Sequence, residues 1–192
     1  MSHSPRFTPA SLLLCTAGAI VCVAVLTGGA IIGWASYLQI GGNFHTIEPA
    51  LAYRSNTLTP RQLENVVQHD GIRTIINLRG AAPGEAWYDD EQRFAQGHHL
   101  AMIDIPMRDD EAPSAQTVDV LVAALRTAQR PILIHCKAGS DRTGLASALF
   151  EYDIMHRTPA EAATQLSFAF GHFPWLGSRT VAMDRAFWTI VG

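Results

Sequence analysis

The first apolar segment of the chain has the length and composition of a membrane-spanning helix. Residues 12–38 form a run of 27 residues without Asp, Glu, Lys or Arg. A helix of this length extends about 40 Å, which exceeds the ~30 Å hydrocarbon core of a bilayer. Trp34 and Tyr37 lie near its carboxyl end, where amphipathic rings favour the membrane interface. The pattern predicts an N-terminal tail over residues 1–11 and one transmembrane helix over residues 12–38.

A cleaved signal peptide is the alternative to a retained anchor. The apolar region of a signal peptide has about 7–15 residues, so the longer run favours a single-pass membrane protein. Arg6 precedes the run, and the next basic residue is Arg54. The positive-inside rule therefore predicts a periplasmic or extracytoplasmic globular domain. Gly29 and Gly33 have the spacing that lets membrane helices pair, which makes a weak homodimer a hypothesis.

Strand-like and helix-like patterns alternate after the Gly41-Gly42 joint. Short apolar, β-branched segments over residues 50–54, 72–78, 100–106 and 131–135 predict strands. Helical patterns begin near residues 59, 85, 114, 143, 158 and 179, and Thr59, Ser114 and Thr158 are predicted to cap three of these helices. This alternation predicts one α/β domain over residues 43–192, with a central, mostly parallel sheet flanked by helices.

Composition narrows the function of this domain. All 17 acidic residues and 13 of the 14 basic residues lie from Glu48 onward, so the domain carries a net charge of −4. A mildly acidic domain with scattered signs is not suited to binding nucleic acid through bulk electrostatics. Cys15 and Cys22 lie in the apolar run, which leaves Cys136 as the thiol of the globular part.

The segment after the last predicted strand has the residues of an anion-binding loop. It reads Ile134-His135-Cys136-Lys137-Ala138-Gly139-Ser140-Asp141-Arg142-Thr143-Gly144. A loop of small residues that leads into a helix presents backbone N–H groups and the positive end of the helix dipole to an anion. Arg142 adds a planar fork of donors that matches two phosphate oxygens. The same positive field favours the thiolate of Cys136, which is a nucleophile aimed at a bound phosphate.

The pattern His-Cys-x-x-Gly-x-x-Arg-Thr-Gly resembles the signature of the cysteine-dependent protein tyrosine and dual-specificity phosphatases. The resemblance implies a phosphatase-type fold and a phosphocysteine intermediate, with no metal ion or other cofactor. It makes Cys136 the nucleophile, Arg142 the phosphate clamp and Thr143 the hydroxyl that aids the second step, while His135 orients the loop. The implied phosphate-binding residues are Lys137, Ala138, Gly139, Ser140, Asp141 and Arg142. The substrate would be a phosphorylated protein or a lipid or inositol phosphate.

Upstream segments extend the resemblance to small bacterial and plant atypical dual-specificity phosphatases. Ala52-Tyr53-Arg54-Ser55, Gly71-Ile72 and Ile76-Asn77-Leu78-Arg79 look like the first strands of that group. The similarity covers most of residues 50–156, although only the cysteine loop is specific.

The general acid is the least determined residue of the predicted site. Enzymes of the family need a carboxylic acid above the cysteine loop, because the leaving oxygen must be protonated. The Pro-x-x-Asp pattern after the third predicted strand favours Asp109, with Asp110 as the second candidate. Asp141 is a third candidate for acid or for orienting water, and its alternative role is to bind a backbone N–H of its own loop. Asp104 lies within a predicted strand and fits less well.

Three other functions stay open at the level of sequence. Lys137 and the membrane anchor would suit a lipid or inositol phosphate substrate. A domain whose acid is absent would bind phosphate esters without turning them over. A sulfurtransferase also places a cysteine in an anion-binding loop, but it would not usually have the Arg-Thr-Gly helix start.

Overall fold

The N-terminal part of the protein is one long apolar helix. The structure, a computed structural model, describes residues 9–175 and 177–192, with backbone alone for residues 9–17. Helix α1 spans Pro9–Ile40, and within it Gly18–Ile40 is long and apolar enough to cross a membrane, with a mean hydropathy of 2.0. The rings of Trp34 and Tyr37 stack at 5.7 Å. Residues 1–8 of the predicted tail, including Arg6, lie outside the described residues, and the membrane span stays a prediction.

The second compact unit is Leu38–Gly192, and it contains all five strands. Their bounds are β1 His45–Glu48, β2 Ala52–Ser55, β3 Thr74–Asn77, β4 Ala101–Asp104 and β5 Ile132–His135. The helices are α2 Pro60–Asp70, α3 Ala86–Gly97, α4 Ala115–Thr127, α5 Asp141–Leu149, α6 Pro159–Ala162 and α7 Val181–Val191. A π-helical turn, Phe150–Ile154, extends α5. Because Leu38 is buried in this unit, an experimental fragment should begin before the predicted domain boundary at residue 43.

The sheet confirms the predicted α/β class and explains where a site can form. Its order is β1-β2-β5-β3-β4, and all neighbours are parallel except β1 and β2. Ser55, His135, Asn77 and Asp104 lie side by side at the carboxyl ends of the four parallel strands. The loops that follow these strands therefore meet at one edge, which is where α/β folds bind ligands.

The sheet has an apolar core on each face because side chains alternate along every strand. Ile76, Ile132 and Ile134 face a layer that contains Leu121 of α4 and Phe187 of α7. Their neighbours along the strands, Ile75 and Leu133, face the opposite way and contact residues of α2 and α3, among them Leu63 and Ala95. The three central strands, β2, β5 and β3, are buried on both faces, and this burial fixes where their carboxyl ends lie.

Helix starts follow the predicted caps, with one difference at α5, and one strand was not predicted. The hydroxyls of Thr59, Ser114 and Thr158 accept backbone N–H groups at the starts of α2, α4 and α6. Helix α5 begins at Asp141, two residues before the predicted start at Thr143, so Asp141 and Arg142 are already helical. Strand β1 was not predicted, because four residues that are only partly buried give no clear alternation.

Candidate active site

The segment between β5 and α5 forms a tight loop around the sulfur of Cys136. The cysteine is 2% exposed, and the N–H of Gly139 donates to its Sγ at 3.3 Å. Gly139 has a φ of +74°, and a Cβ there would lie 2.6 Å from the backbone of Ser55 and Asn56. Only glycine allows the loop to approach β2 this closely. The close approach places the amide of Gly139 over the sulfur.

Side chains outside the loop hold its carbonyl oxygens. Asn43 Nδ2 and Gln39 Nε2 donate to Ala138 O at 3.0 and 3.1 Å. Thr57 Oγ1 donates to Cys136 O at 3.1 Å. Since a peptide carbonyl and the following N–H point in opposite directions, these bonds turn the N–H groups toward the inside of the loop, where an anion would bind.

Arg54 donates to two further carbonyl oxygens of the loop. Its side chain is 0% exposed, and Nη2 donates to Gly139 O at 2.9 Å and to Ser140 O at 3.4 Å. Nη1 donates to the backbone and side-chain oxygens of Gln165 at 2.8 and 2.7 Å, and the guanidinium lies 3.9 Å from the ring centre of Phe170. Burial lowers the pKa of Arg54 to about 9, against the opposing effect of nearby negative charges. The group is therefore still charged at neutral pH.

Arg142, the predicted phosphate clamp, is held by backbone oxygens of two other segments. Its Nη1 donates to Met107 O at 3.1 Å and to Leu78 O at 3.4 Å, and these bonds fix the guanidinium plane. Among the described residues its Nε has no hydrogen-bond partner although the atom is buried, and the same is true of the Thr143 hydroxyl. A buried donor without a partner is costly, so both groups are suited to a ligand or to the ionised sulfur.

The candidate general acids have very different surroundings. Asp109 is 54% exposed, and its Oδ2 lies 3.4 Å from Nη2 of Arg142. Asp110 instead accepts from Arg108 at 3.0 Å and from Arg179 at 3.2 Å. Asp104 is occupied as well, because Tyr88 and Asn77 donate to its two oxygens. Of these three aspartates, Asp109 alone contacts the cysteine loop's arginine and keeps a largely open side chain.

Asp141 belongs to a buried cluster that was not foreseen. His172 is 0% exposed and lies between two carboxylates, with Nδ1 at 2.7 Å from Asp141 and Nε2 at 2.8 Å from Asp184 of α7. Desolvation by itself would lower the pKa of His172, but hydrogen bonds to Asp141 and Asp184 outweigh it and raise the pKa. The imidazole thus links the start of α5 to α7, and both carboxylate oxygens of Asp141 are engaged, one by His172 and the other by the Ser140 hydroxyl.

We expect His172→Gln to destabilise the protein most at mildly acidic pH. A histidine with a raised folded-state pKa stabilises the fold fully below its ordinary pKa of 6.5, and this stabilisation is lost as pH rises through the folded-state value. Two charge-assisted hydrogen bonds make the loss about 2 kcal/mol near pH 6. Thermal unfolding from pH 6 to pH 9 measures it. A difference in the free energy of unfolding between wild type and His172→Gln that grows as pH rises would contradict the assignment. His69→Gln is the control, because the His69 side chain is 88% exposed.

His135 and Lys137 lie at opposite extremes of exposure. His135 is buried, with Nε2 3.1 Å from Glu91 Oε1, although the two atoms lack hydrogen-bond geometry. Lys137 is exposed on the outside of the loop. Arg142 and Asp109 are in contact, and Cys136 lies in the loop that leads to Arg142. The orienting role of His135 stays a prediction.

A parallel-stranded sheet with an anion-binding Cys-x5-Arg loop at its carboxyl edge defines the class of cysteine-dependent phosphatases. The family described as "DSP-PTPase phosphatase fused to NAD+ Kinase" matches residues 42–172. This match covers more than half of the chain, and the protein belongs to that dual-specificity phosphatase family.

Two kinds of relative agree with this assignment. The dual specificity protein phosphatase TpbA of Pseudomonas aeruginosa is 28% identical over 119 residues, which are 61% of this chain. The chain spans about half of the length of this curated relative, 50%. Among solved structures, a Cys-to-Ser variant of P. aeruginosa TpbA in complex with pTyr superposes with a TM-score of 0.58 at 18% identity, covering 76% of this chain and 83% of the other. PTPMT1 in complex with PI(5)P gives 0.55 at 13% identity, covering 77% and 96%.

Several residues of the site escaped the sequence-based prediction. Gln39 and Asn43 lie about a hundred positions from the loop they hold, so local pattern could not reveal them. Arg54 was noticed only as part of a family-like strand. A charged residue inside a short strand whose neighbours are buried is nevertheless a signal, because a fully buried arginine needs several acceptors. His172 gave no comparable signal.

Proposed function

We propose that the protein is a membrane-anchored phosphatase that hydrolyses phosphomonoesters, of the phosphotyrosine or dual-specificity type, through a phosphocysteine intermediate. The observation that carries the proposal is the loop at Cys136, whose carbonyl oxygens are held from outside so that its N–H groups point inward. Preorganised donors of this kind stabilise a phosphoryl group during transfer without reorganisation.

In the first step the thiolate of Cys136 attacks phosphorus. The S–P bond forms, the ester P–O bond breaks, and Asp109 gives its proton to the leaving oxygen. Arg142 and the N–H groups of residues 137–142 hold the phosphoryl oxygens. In the second step water attacks phosphorus, Asp109 takes a proton from that water, and the S–P bond breaks. The Thr143 hydroxyl then hydrogen-bonds the departing thiolate.

Trapping the intermediate tests this proposal. The full chain in detergent, with a chelator present, should hydrolyse an aryl phosphate, and acid quenching should leave one phosphoryl group on Cys136. Mass spectrometry of the quenched protein locates the group. Hydrolysis that depends on a metal ion, or a phosphoryl group found on another residue, would reject the mechanism.

We expect Asp109→Asn to lower kcat by about 10²-fold for phenyl phosphate, since its poor leaving group needs a proton. The loss should be much smaller for 4-nitrophenyl phosphate, whose leaving group is stable as an anion. Steady-state kinetics with both esters measures the difference. Asp110→Asn is the matched control, because Asp110 binds Arg108 and Arg179. Any loss of kcat in this variant should be the same for both esters. Equal losses on both esters for Asp109→Asn would remove it as the acid.

The apolar helix supports the anchor in this proposal. Gly18–Ile40 has 23 residues of mean hydropathy 2.0, and its most apolar stretch of 18 residues contains no buried residue. Retention in the membrane pellet after alkaline carbonate extraction tests the anchor, and release into the supernatant would exclude it. We propose further that the domain lies on the periplasmic or extracytoplasmic side of the membrane. A weak homodimer, formed by pairing of the apolar helices through Gly29 and Gly33, is a secondary proposal.

A lipid or inositol phosphate is the second candidate substrate. Lys137 is exposed beside the loop, an anchored domain works close to lipid head groups, and PTPMT1, which shares the fold, has a structure in complex with PI(5)P. Specificity ratios for phosphotyrosyl peptides against phosphatidylinositol phosphates in mixed micelles decide between the two classes. Tight binding of both without turnover would instead indicate a phosphate-binding module.

A further inference from the structure

Arg79 is a cationic residue whose guanidinium is held in place by an aromatic ring and a hydroxyl group. It follows β3, at the same sheet edge as the cysteine loop. Its guanidinium lies 3.3 Å from the ring centre of Trp87, and Nη1 donates to Thr57 Oγ1 at 3.0 Å. Within the described part of the chain it forms no ion pair. Stacking and one hydrogen bond orient the group, while its other N–H donors stay available.

Arg79 lies beside the predicted phosphate site. The Thr57 hydroxyl that accepts from Arg79 itself donates to Cys136 O at 3.1 Å, so two hydrogen bonds connect the guanidinium to the nucleophile's backbone. Burial, followed by the charge of Arg142, lowers the pKa of Arg79, while the charges of Cys136, Glu91 and Glu85 raise it. Two arginines therefore repel each other across this edge, and a ligand with more than one anionic group relieves that repulsion.

Arg79 lines a cavity of about 470 Å³ together with residues of the segment that follows β4. Met107, whose carbonyl holds Arg142, also lines it. Arg108 lies in the same wall, but Asp110 and Glu111 neutralise it at 3.0 and 3.1 Å. Arg79 is thus the cation in this wall that can give its charge to a ligand.

We propose that Arg79 and this cavity form a subsite for a second anionic group of the substrate, a carboxylate or a further phosphate close to the phosphate held by the Cys136 loop. A role of this subsite in selecting substrates rests on the proposed phosphatase function. Its preference for binding acidic molecules does not depend on that function. It selects phosphomonoesters of acidic molecules over neutral ones.

Three aryl phosphates that differ in one substituent test the subsite. They are 3-carbamoylphenyl phosphate, which has a neutral substituent, 3-carboxyphenyl phosphate and 1,3-phenylene bisphosphate. The full chain in detergent should show a kcat/KM about tenfold higher for the acidic esters, as expected for one charge-assisted contact. The ratio of carboxylate to bisphosphate then shows which second group is preferred.

The variant Arg79→Met keeps the apolar stem and should reduce the acidic-to-neutral ratio to about one. Arg93→Met, on an exposed arginine of α3 paired with Asp90, should leave the ratio unchanged. The ratio is the readout because a purely structural role of Arg79 would lower all three rates together. A wild type without preference, or an unchanged ratio in Arg79→Met, would overturn the proposal.

Binding separates failure of the subsite from failure of the phosphatase proposal. Calorimetric titration of the same esters into Cys136→Ser, with and without Arg79→Met, needs no turnover. If the wild type is inactive but Cys136→Ser prefers the acidic esters and loses that preference with Arg79→Met, the subsite stands and the enzymatic proposal falls. Equal affinities for acidic and neutral esters reject the subsite.

Discussion

Replacement of Cys136 by serine should reduce turnover of aryl phosphates by roughly 10⁴-fold or more, in line with the removal of an enzymatic nucleophile. A hydroxyl in the same loop stays protonated, because its proton is held far more tightly than that of a thiol, and no base of the described site lies beside it. The residual rate should come from the N–H groups and Arg142, which still bind the phosphoryl group. Initial rates with 4-nitrophenyl phosphate measure the loss.

The same variant should keep its fold and its affinity for phosphate esters. Serine matches the shape of cysteine, and the bonds to the loop carbonyls do not involve the sulfur. Calorimetric titration with phosphotyrosine measures the affinity. Cys22→Ser, at an exposed cysteine of α1, is the control and should retain full activity. Substantial turnover by Cys136→Ser would show that another group carries the chemistry.

Arg54→Met should destabilise the protein by about 3 kcal/mol, since each buried acceptor that loses its donor costs about 1–3 kcal/mol and the relief of no longer burying the guanidinium offsets part of the sum. The carbonyl groups of Gly139, Ser140 and Gln165 lose a buried donor, and methionine cannot replace it. For a chain of this size the midpoint of thermal unfolding should fall by about 10 °C.

Activity should fall together with stability in Arg54→Met. Without donors on the outside, the carbonyls of Gly139 and Ser140 can rotate inward and repel the phosphate. Arg54→Lys keeps the charge but reaches fewer acceptors, so it should lie between wild type and Arg54→Met and keep the test readable if the latter fails to fold. Arg61→Met, on the exposed face of α2, should change stability by less than about 0.5 kcal/mol. Normal stability in Arg54→Met would contradict its supporting role.

Local sequence was sufficient wherever a short segment carries its own physical signal. The caps at Thr59, Ser114 and Thr158 and the apolar strand before Cys136 were predicted because hydroxyl caps and buried strands depend on neighbouring residues. The cysteine loop was predicted for the same reason, since a phosphate cradle is built from consecutive backbone groups. Strand β1 was missed because its pattern is weak and its pairing partner, β2, determines it.

The sequence by itself determined the α/β class, the family and the position of the anion-binding loop. Tertiary structure decided which side chains serve that loop. Asp109 could be separated from Asp110 only by seeing which arginines each contacts, and Asp141 only by the buried His172 beside it. Arg54 and Gln39 hold carbonyl groups of the loop across 85 and 99 positions of chain. Folding brings such residues together at one sheet edge. The spacing of residues along the sequence does not reveal these contacts, because they form between segments that are far apart in the chain.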